Sequence, residues 1–221
     1  AVVHSGEDGK SLHNKYPAIW AQTNREALEE ADKVGDILFF TRAGYTGSSN
    51  YTTLMWAGDQ LVNWSLDDGL PSVIPASISL GLTGVGLTHF DVGGYTSLFG
   101  VTRTKELFMR WTELGAFTPV MRTHEGNRPD ENLQFDHDQE ILDHFSRMSK
   151  IHKQLKPYLQ EVVQTTAERG LPAIRHPYLH YEGDEEVYEL KYQYLLGRDL
   201  LVAPVCDQEV QTKEVYLPDD E

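Results

Sequence analysis

An α/β fold assembled from parallel βα units is expected for this chain of 221 residues. Short apolar runs alternate with amphipathic stretches over most of its length, the pattern of strands followed by helices. Four of the apolar runs lead into residues able to do chemistry. They are Phe39-Phe40-Thr41-Arg42, Thr52 to Asp59, Thr88-His89-Phe90-Asp91, and Pro119 to His124. The length suffices for one sizeable core, or for one domain with part of another.

Taken in order, Asn14 to Val34 places Tyr16, Ile19, Trp20, Ala27, Leu28 and Ala31 at helical spacing, and Gly35-Asp36 ends it. Ile37 to Phe40 reads as a short buried strand. A Gly/Ser/Tyr-rich loop, Gly44 to Tyr51, leads to a strand at Thr52 to Met55. Asp67 or Asp68 is placed to cap a helix reaching Leu82, with Ile74, Ile78 and Leu82 inward. Val85 to Phe90 is a strand and Thr104 to Leu114 a helix carrying Leu107, Phe108 and Trp111. Phe117 to Met121 is a strand or a short extended piece. Asp136 to Arg169 is helical, with Ile141, Phe145, Met148 and Leu155 on one face and a break at Pro157. Leu171 to Arg175 is a strand and Tyr188 to Tyr194 a helix. Leu200 to Val205 and Glu214 to Leu217 read as strands with no helix between them. A domain boundary is therefore expected near Asp199, dividing residues 1–198 from 199–221.

Acidic residues outnumber basic ones, 34 to 19, for a net charge of -15. Nucleic acid and anionic membrane surfaces, which demand basic patches, are not expected partners. No apolar run approaches the roughly 20 residues that span a bilayer. Cys206 is the single cysteine, so no intrachain disulfide can form. That count fits a reducing compartment, and a bacterial cytoplasm is the expected location. No cofactor and no metal are expected. The histidines lack ligand spacing, and Gly81 to Gly86 has neither a dinucleotide fingerprint nor the lysine of a phosphate loop. The start at Ala1 and the stop shortly after Pro218 read as a piece of a longer chain.

In (β/α) barrels the active site is built at the C-terminal ends of the strands. Arg42, Asp59, Asp91 and His124 all fall there. Glycoside cleavage needs two carboxylates, one protonated to donate to the leaving oxygen and one ionised to attack or to activate water. Asp59 beside Trp56 suits the donor, because an apolar wall favours a neutral carboxyl. Arg42 and His124 suit sugar hydroxyls. Singly, each has a plain structural explanation: a turn or cap for Asp59, an ion pair for Arg42, a core hydrogen bond for His124. The ordered set carries more weight than its members.

That set resembles glycoside hydrolase family 31, the α-glucosidase and α-xylosidase family. The matching stretches are Phe39 to Ala43, Trp56-Ala57-Gly58-Asp59-Gln60, Phe90-Asp91-Val92-Gly93-Gly94-Tyr95 and Phe117 to His124. The resemblance covers nearly the whole chain. It implies the C-terminal half of a (β/α)8 barrel followed by the start of a β-rich domain, and a retaining two-aspartate mechanism on a small-molecule glycoside. Asp59 is then the acid/base, and Arg42, Trp56, Asp91, Tyr95 and His124 form the substrate-binding set. Met121 to Pro129, Leu190 to Asp199, and Tyr95 in place of the family's usual Phe resemble the bacterial sulfoquinovosidase branch. There the equivalent Tyr helps bind the sulfonate, and a phenol can donate where Phe cannot. No residue here matches the family's nucleophilic Asp, which is expected upstream with the other sulfonate-binding residues. The chain alone is therefore expected to be inactive and poorly stable. A plain α-glucosidase or α-xylosidase, a non-catalytic sugar-binding barrel, and a metal-dependent hydrolase on His89, Asp91 and His124 stay open, as does homo-oligomerisation.

Overall fold

The computed structural model describes residue 4 and residues 6–219, which divide into two units, Ala1–Trp56 and Ala57–Glu221. In the first unit, helix α1 spans Gly9–Glu30 and is opened by Asp8, whose carboxylate accepts from the Lys10 N–H at 3.2 Å. It begins and ends a few residues earlier than its apolar spacing suggests, and Pro17 sits inside it. Ala21 is its one buried residue, while Tyr16 and Trp20 are 57% and 55% exposed. The spacing thus marks an apolar face that stays about half exposed.

Strand β1 is Phe40–Thr41 and β2 is Leu54–Trp56, and they pair in parallel with Phe40 opposite Leu54 and Thr41 opposite Met55. Leu54 and Met55 are buried as expected. Ile37, Leu38 and Phe40, expected to be buried, are exposed, and ladder pairing starts only at Phe40.

The second unit holds a core of its own. Helix α2, Val73–Leu82, follows a 3-10 turn at Leu70–Ser72 and starts at Ser72, so neither Asp67 nor Asp68 caps it. Ile74 and Ile78 point into the core, but Leu82 stays exposed at the helix end. Of the predicted strand Val85 to Phe90 only Thr88–His89 forms one, β3, and a further strand, β4 at Asp91–Val92, lies just past its expected end. Helix α3, Lys105–Ala116, is capped by the Thr104 hydroxyl and buries Leu107, Phe108 and Trp111. The stretch from Phe117 to Met121, expected to be extended, opens instead as a turn in which the Phe117 and Thr118 N–H groups donate back to Leu114 and Gly115, and the strand begins only at Arg122: β5, Arg122–Thr123, pairs in parallel with β4.

The long helical region is two helices, α4 at Gln139–Gln154 and α5 at Lys156–Arg169, divided at Leu155 as the proline predicts. Ile141 and Met148 are buried on α4, and Phe145 and Leu155 pack partly buried against the core.

Three antiparallel strands follow: β6 at Ile174–Arg175, β7 at Tyr194–Leu196 and β8 at Leu200–Val202. The helix expected at Tyr188 to Tyr194 is absent. A 3-10 turn at Glu185–Glu189, opened by the Asp184 carboxylate, takes part of that stretch, and Tyr194 enters the sheet. Glu214 to Leu217 forms no ladder. Instead the Gln193 amide takes both sides of Tyr216, donating to its carbonyl and accepting from its N–H, each at 2.9 Å. Among the described residues no helix is long and apolar enough to cross a membrane.

Candidate active site

In the first unit, Arg42 follows β1 and Trp56 ends β2. The parallel register makes them the next facing pair after Thr41 and Met55. The Arg42 guanidinium lies 5.8 Å from the Trp56 ring centroid, within reach of a cation–π contact. Gly44 lets the Met55 side chain pass: a Cβ there would stand 2.1 Å from the Met55 Cε.

In the second unit, parallel strands β4 and β5 end side by side and deliver Gly93-Gly94-Tyr95 and His124. The Asp59 segment is laced to the first of these loops. Tyr95 and Thr96 both donate from the backbone to the Gln60 carbonyl, at 2.9 and 2.8 Å, and the Thr96 hydroxyl donates to the Asp59 carbonyl at 2.8 Å. At its other end the segment is fixed by the Ala57 N–H, which donates to the His89 carbonyl at 2.9 Å. Asp59 itself is half-buried.

Tyr95 and His124 meet edge to face, with ring centroids 4.9 Å apart. The Gly126 N–H donates to His124 Nδ1 at 3.0 Å. With Nδ1 accepting, the neutral ring carries its proton on Nε2 and offers a donor there. The Tyr95 hydroxyl makes no hydrogen bond to another described residue. Asp91 is fully buried and receives a guanidinium hydrogen bond from Arg122, so it acts behind the loops rather than at an open surface.

Gly93 and Gly94 both take positive φ, +93° and +75°. A Cβ on Gly93 would stand 2.8 Å from Arg103 Nε and from Phe108 Cδ2, and one on Gly94 3.1 Å from the Trp111 ring. Both conformation and crowding therefore require glycine.

Sequence reasoning missed Arg103. Its guanidinium is buried and donates from Nε to the Gly93 carbonyl at 2.8 Å, and from Nη2 to the Gly94 and His124 carbonyls at 2.6 and 2.9 Å. Nη1 reaches the Leu133 carbonyl at 3.2 Å. Burial lowers its pKa to about 10, partly offset by the charge of Asp91. Asn132 joins the same knot, accepting from the Ser97 hydroxyl at 2.7 Å and the Arg103 N–H at 3.1 Å. Among the described residues no three potential metal ligands converge, and His89 lies in the core.

The Asp59 segment thus lies beside a glycine-paired aromatic loop and a histidine, both at the ends of parallel strands. The glycosyl hydrolases family 31 TIM-barrel model matches residues 2–162, and the family's C-terminal domain model matches residues 170–221. The chain belongs to glycoside hydrolase family 31. Within it, the sulfoquinovosidase of Escherichia coli (strain K12) is 58% identical over 218 residues, 99% of this chain and 32% of that protein. The sulfoquinovosidase of Agrobacterium fabrum is 50% identical over 98% of this chain and 32% of its own length. A family 31 sulfoquinovosidase from E. rectale, solved with the aza-sugar inhibitor IFGSQ, superimposes with a TM-score of 0.96 at 49% identity, covering 99% of this chain and 33% of that one. The chain thus spans about a third of the length of these relatives.

Proposed function

We propose that the complete protein is a retaining α-glycoside hydrolase acting on α-sulfoquinovosides such as the glycerol conjugate. In this reading residues 1–198 form the second half of a (β/α)8 barrel, and residues 199–221 begin a β-rich domain. That boundary lies later than residue 170, where the C-terminal-domain match starts. A carboxylate outside these residues attacks the anomeric carbon while Asp59 gives its proton to the departing oxygen. Asp59 then takes a proton from the water that cleaves the glycosyl-enzyme. Arg42 and His124 hold sugar hydroxyls, and Trp56 lines the sugar site. Tyr95 donates to a sulfonate oxygen, and Asp91 contributes by fixing Arg122 next to the His124 loop.

The supporting observation is the Tyr95–His124 pair, tied through Gln60 to the Asp59 segment and presenting a phenol with no other described hydrogen-bond partner. Likeness to two sulfoquinovosidases at 50% identity or more points to the same substrate class.

The test is turnover of aryl α-sulfoquinovoside and aryl α-glucoside by the complete protein and its Asp59→Asn variant. We expect preference for the sulfonated sugar and a fall of about 10²- to 10⁴-fold in kcat/KM for the variant. Azide, which attacks the glycosyl-enzyme without a general base, should restore turnover of the aryl substrate. Faster cleavage of the glucoside would remove the sulfonate assignment. Undiminished activity in Asp59→Asn would remove the acid/base assignment.

A further inference from the structure

We infer that Arg103 is a positioning residue for substrate binding, holding the Tyr95 and His124 loops in one fixed relation through their backbone carbonyls. The inference rests on the reading above, in which those two side chains bind the sugar. Arg103 lies in a Val-Thr-Arg-Thr stretch just before α3, and the Thr104 cap anchors its backbone. From there one guanidinium serves four carbonyls in three chain segments: Gly93 and Gly94 before Tyr95, His124 itself, and Leu133. The Phe108 ring lies 5.7 Å from its carbon and closes one face. The Asn132 carboxamide fixes its main chain and Ser97 together.

The acceptors are all neutral, and among the described residues Arg103 makes no ion pair. A buried cation spent on neutral carbonyls makes poor sense as a stabilising ion pair, because its desolvation outweighs the favourable charge of Asp91. It makes sense as a spacer. The planar fork has fixed angles between its N–H bonds, so the carbonyls it satisfies are held at fixed separations. Lysine, a single ammonium on a flexible stem, cannot reach carbonyls on both sides of that fork at once.

The consequence falls on two geometries. One is the edge-to-face contact of Tyr95 with His124. The other is the Gly126 N–H to His124 Nδ1 bond, which sets the ring tautomer and depends on the position of the His124 main chain. Loss of Arg103 therefore loosens both binding side chains at once, although it touches neither ring.

The experiment compares Arg103→Lys, Arg103→Ala and Tyr158→Phe in the complete protein. Tyr158 donates to the Leu196 carbonyl and accepts from the Asp199 N–H, so its change reports destabilisation away from the loops. For both Arg103 variants kcat/KM on aryl α-sulfoquinovoside should fall about a hundredfold, the scale of a roughly 1 Å misplacement. The loss should appear mainly in KM. Millimolar methylguanidine should rescue Arg103→Ala, and methylammonium should not. Tyr158→Phe should lower the melting temperature and leave KM unchanged. A folded Arg103→Lys protein with wild-type KM would overturn the inference, as would an Arg103→Ala loss that methylguanidine leaves untouched. Nitrogen NMR of the His124 ring reads the geometry without turnover. The wild type should show the Nε2–H tautomer, and Arg103→Lys a mixture. A wild-type Nδ1–H tautomer, or an unchanged ring in Arg103→Lys, sinks the inference whether or not any glycoside is cleaved. Inactivity of the wild type on both sugars, with the ring response intact, would count only against the proposed reaction.

Discussion

The two units of this chain treat their apolar residues in opposite ways. In Ala57–Glu221, Ile74, Val92, Phe108, Trp111, Ile141, Leu159, Ile174, Leu196 and Val202 belong to one buried cluster drawn from helices α2 to α5 and strands β4, β6, β7 and β8. In Ala1–Trp56 the buried apolar side chains are Ala21, Leu54 and Met55, while Tyr16, Ile19, Trp20, Ile37, Leu38 and Phe40 face outward among the described residues. Amphipathic spacing is equally clear in both. It reports which side of an element is apolar, and burial needs a second surface that local sequence does not supply.

The sharpest way to break this contrast is at Trp111, which is fully buried and packs against Gly94 under the candidate site. Trp111→Ala should cost about 3–5 kcal/mol in denaturant unfolding of the complete protein. A cost below about 1 kcal/mol would mean that the second unit's core is not close-packed there.

A smaller effect is expected at Cys206, in the same cluster. Burial pushes its thiol from 9.0 up to about 11. The folded state prefers the neutral thiol, so its contribution to stability is complete below pH 9 and is lost as pH rises through about 11. Wild-type stability should therefore decline over that window more steeply than that of Cys206→Ala. At neutral pH a thiol reagent should react only as the protein unfolds. Rapid labelling of the native protein would place Cys206 at the surface instead.

The smallest effect belongs to the first unit. Trp20→Ser, at an exposed position of α1, should change the stability of this chain by no more than about 0.5 kcal/mol and should reduce its self-association. If it destabilises as strongly as Trp111→Ala, the Trp20 face is covered and the contrast fails.

Legibility in the sequence followed the range of the interactions. The helix beginning at Thr104 and the break near Pro157 were readable, because each is set by its own neighbours. The strand ends carrying Arg42, Asp59 and His124 were readable as apolar runs meeting polar residues. The antiparallel turn of the chain after α5 was not. Tyr188 to Tyr194 has helix-compatible residues, and only pairing with Ile174 and Leu201 pulls β7 into a sheet. Arg103 left no trace because its partners are backbone carbonyls from 9 to 30 residues away, which every residue type possesses. Asp91 was legible as a residue at a strand end, but its burial under Arg122 was not.

The main chain of Tyr95 bears on how such a site can change over time. Its N–H is held by the Gln60 carbonyl and its carbonyl by the Asn127 N–H, so the peptide is fastened on both sides independently of the phenol it carries. Replacing the ring's hydroxyl leaves in place the skeleton that presents it. The chemistry presented at this point is therefore uncoupled from foldability, and a lineage can edit the side chain on an unchanged frame.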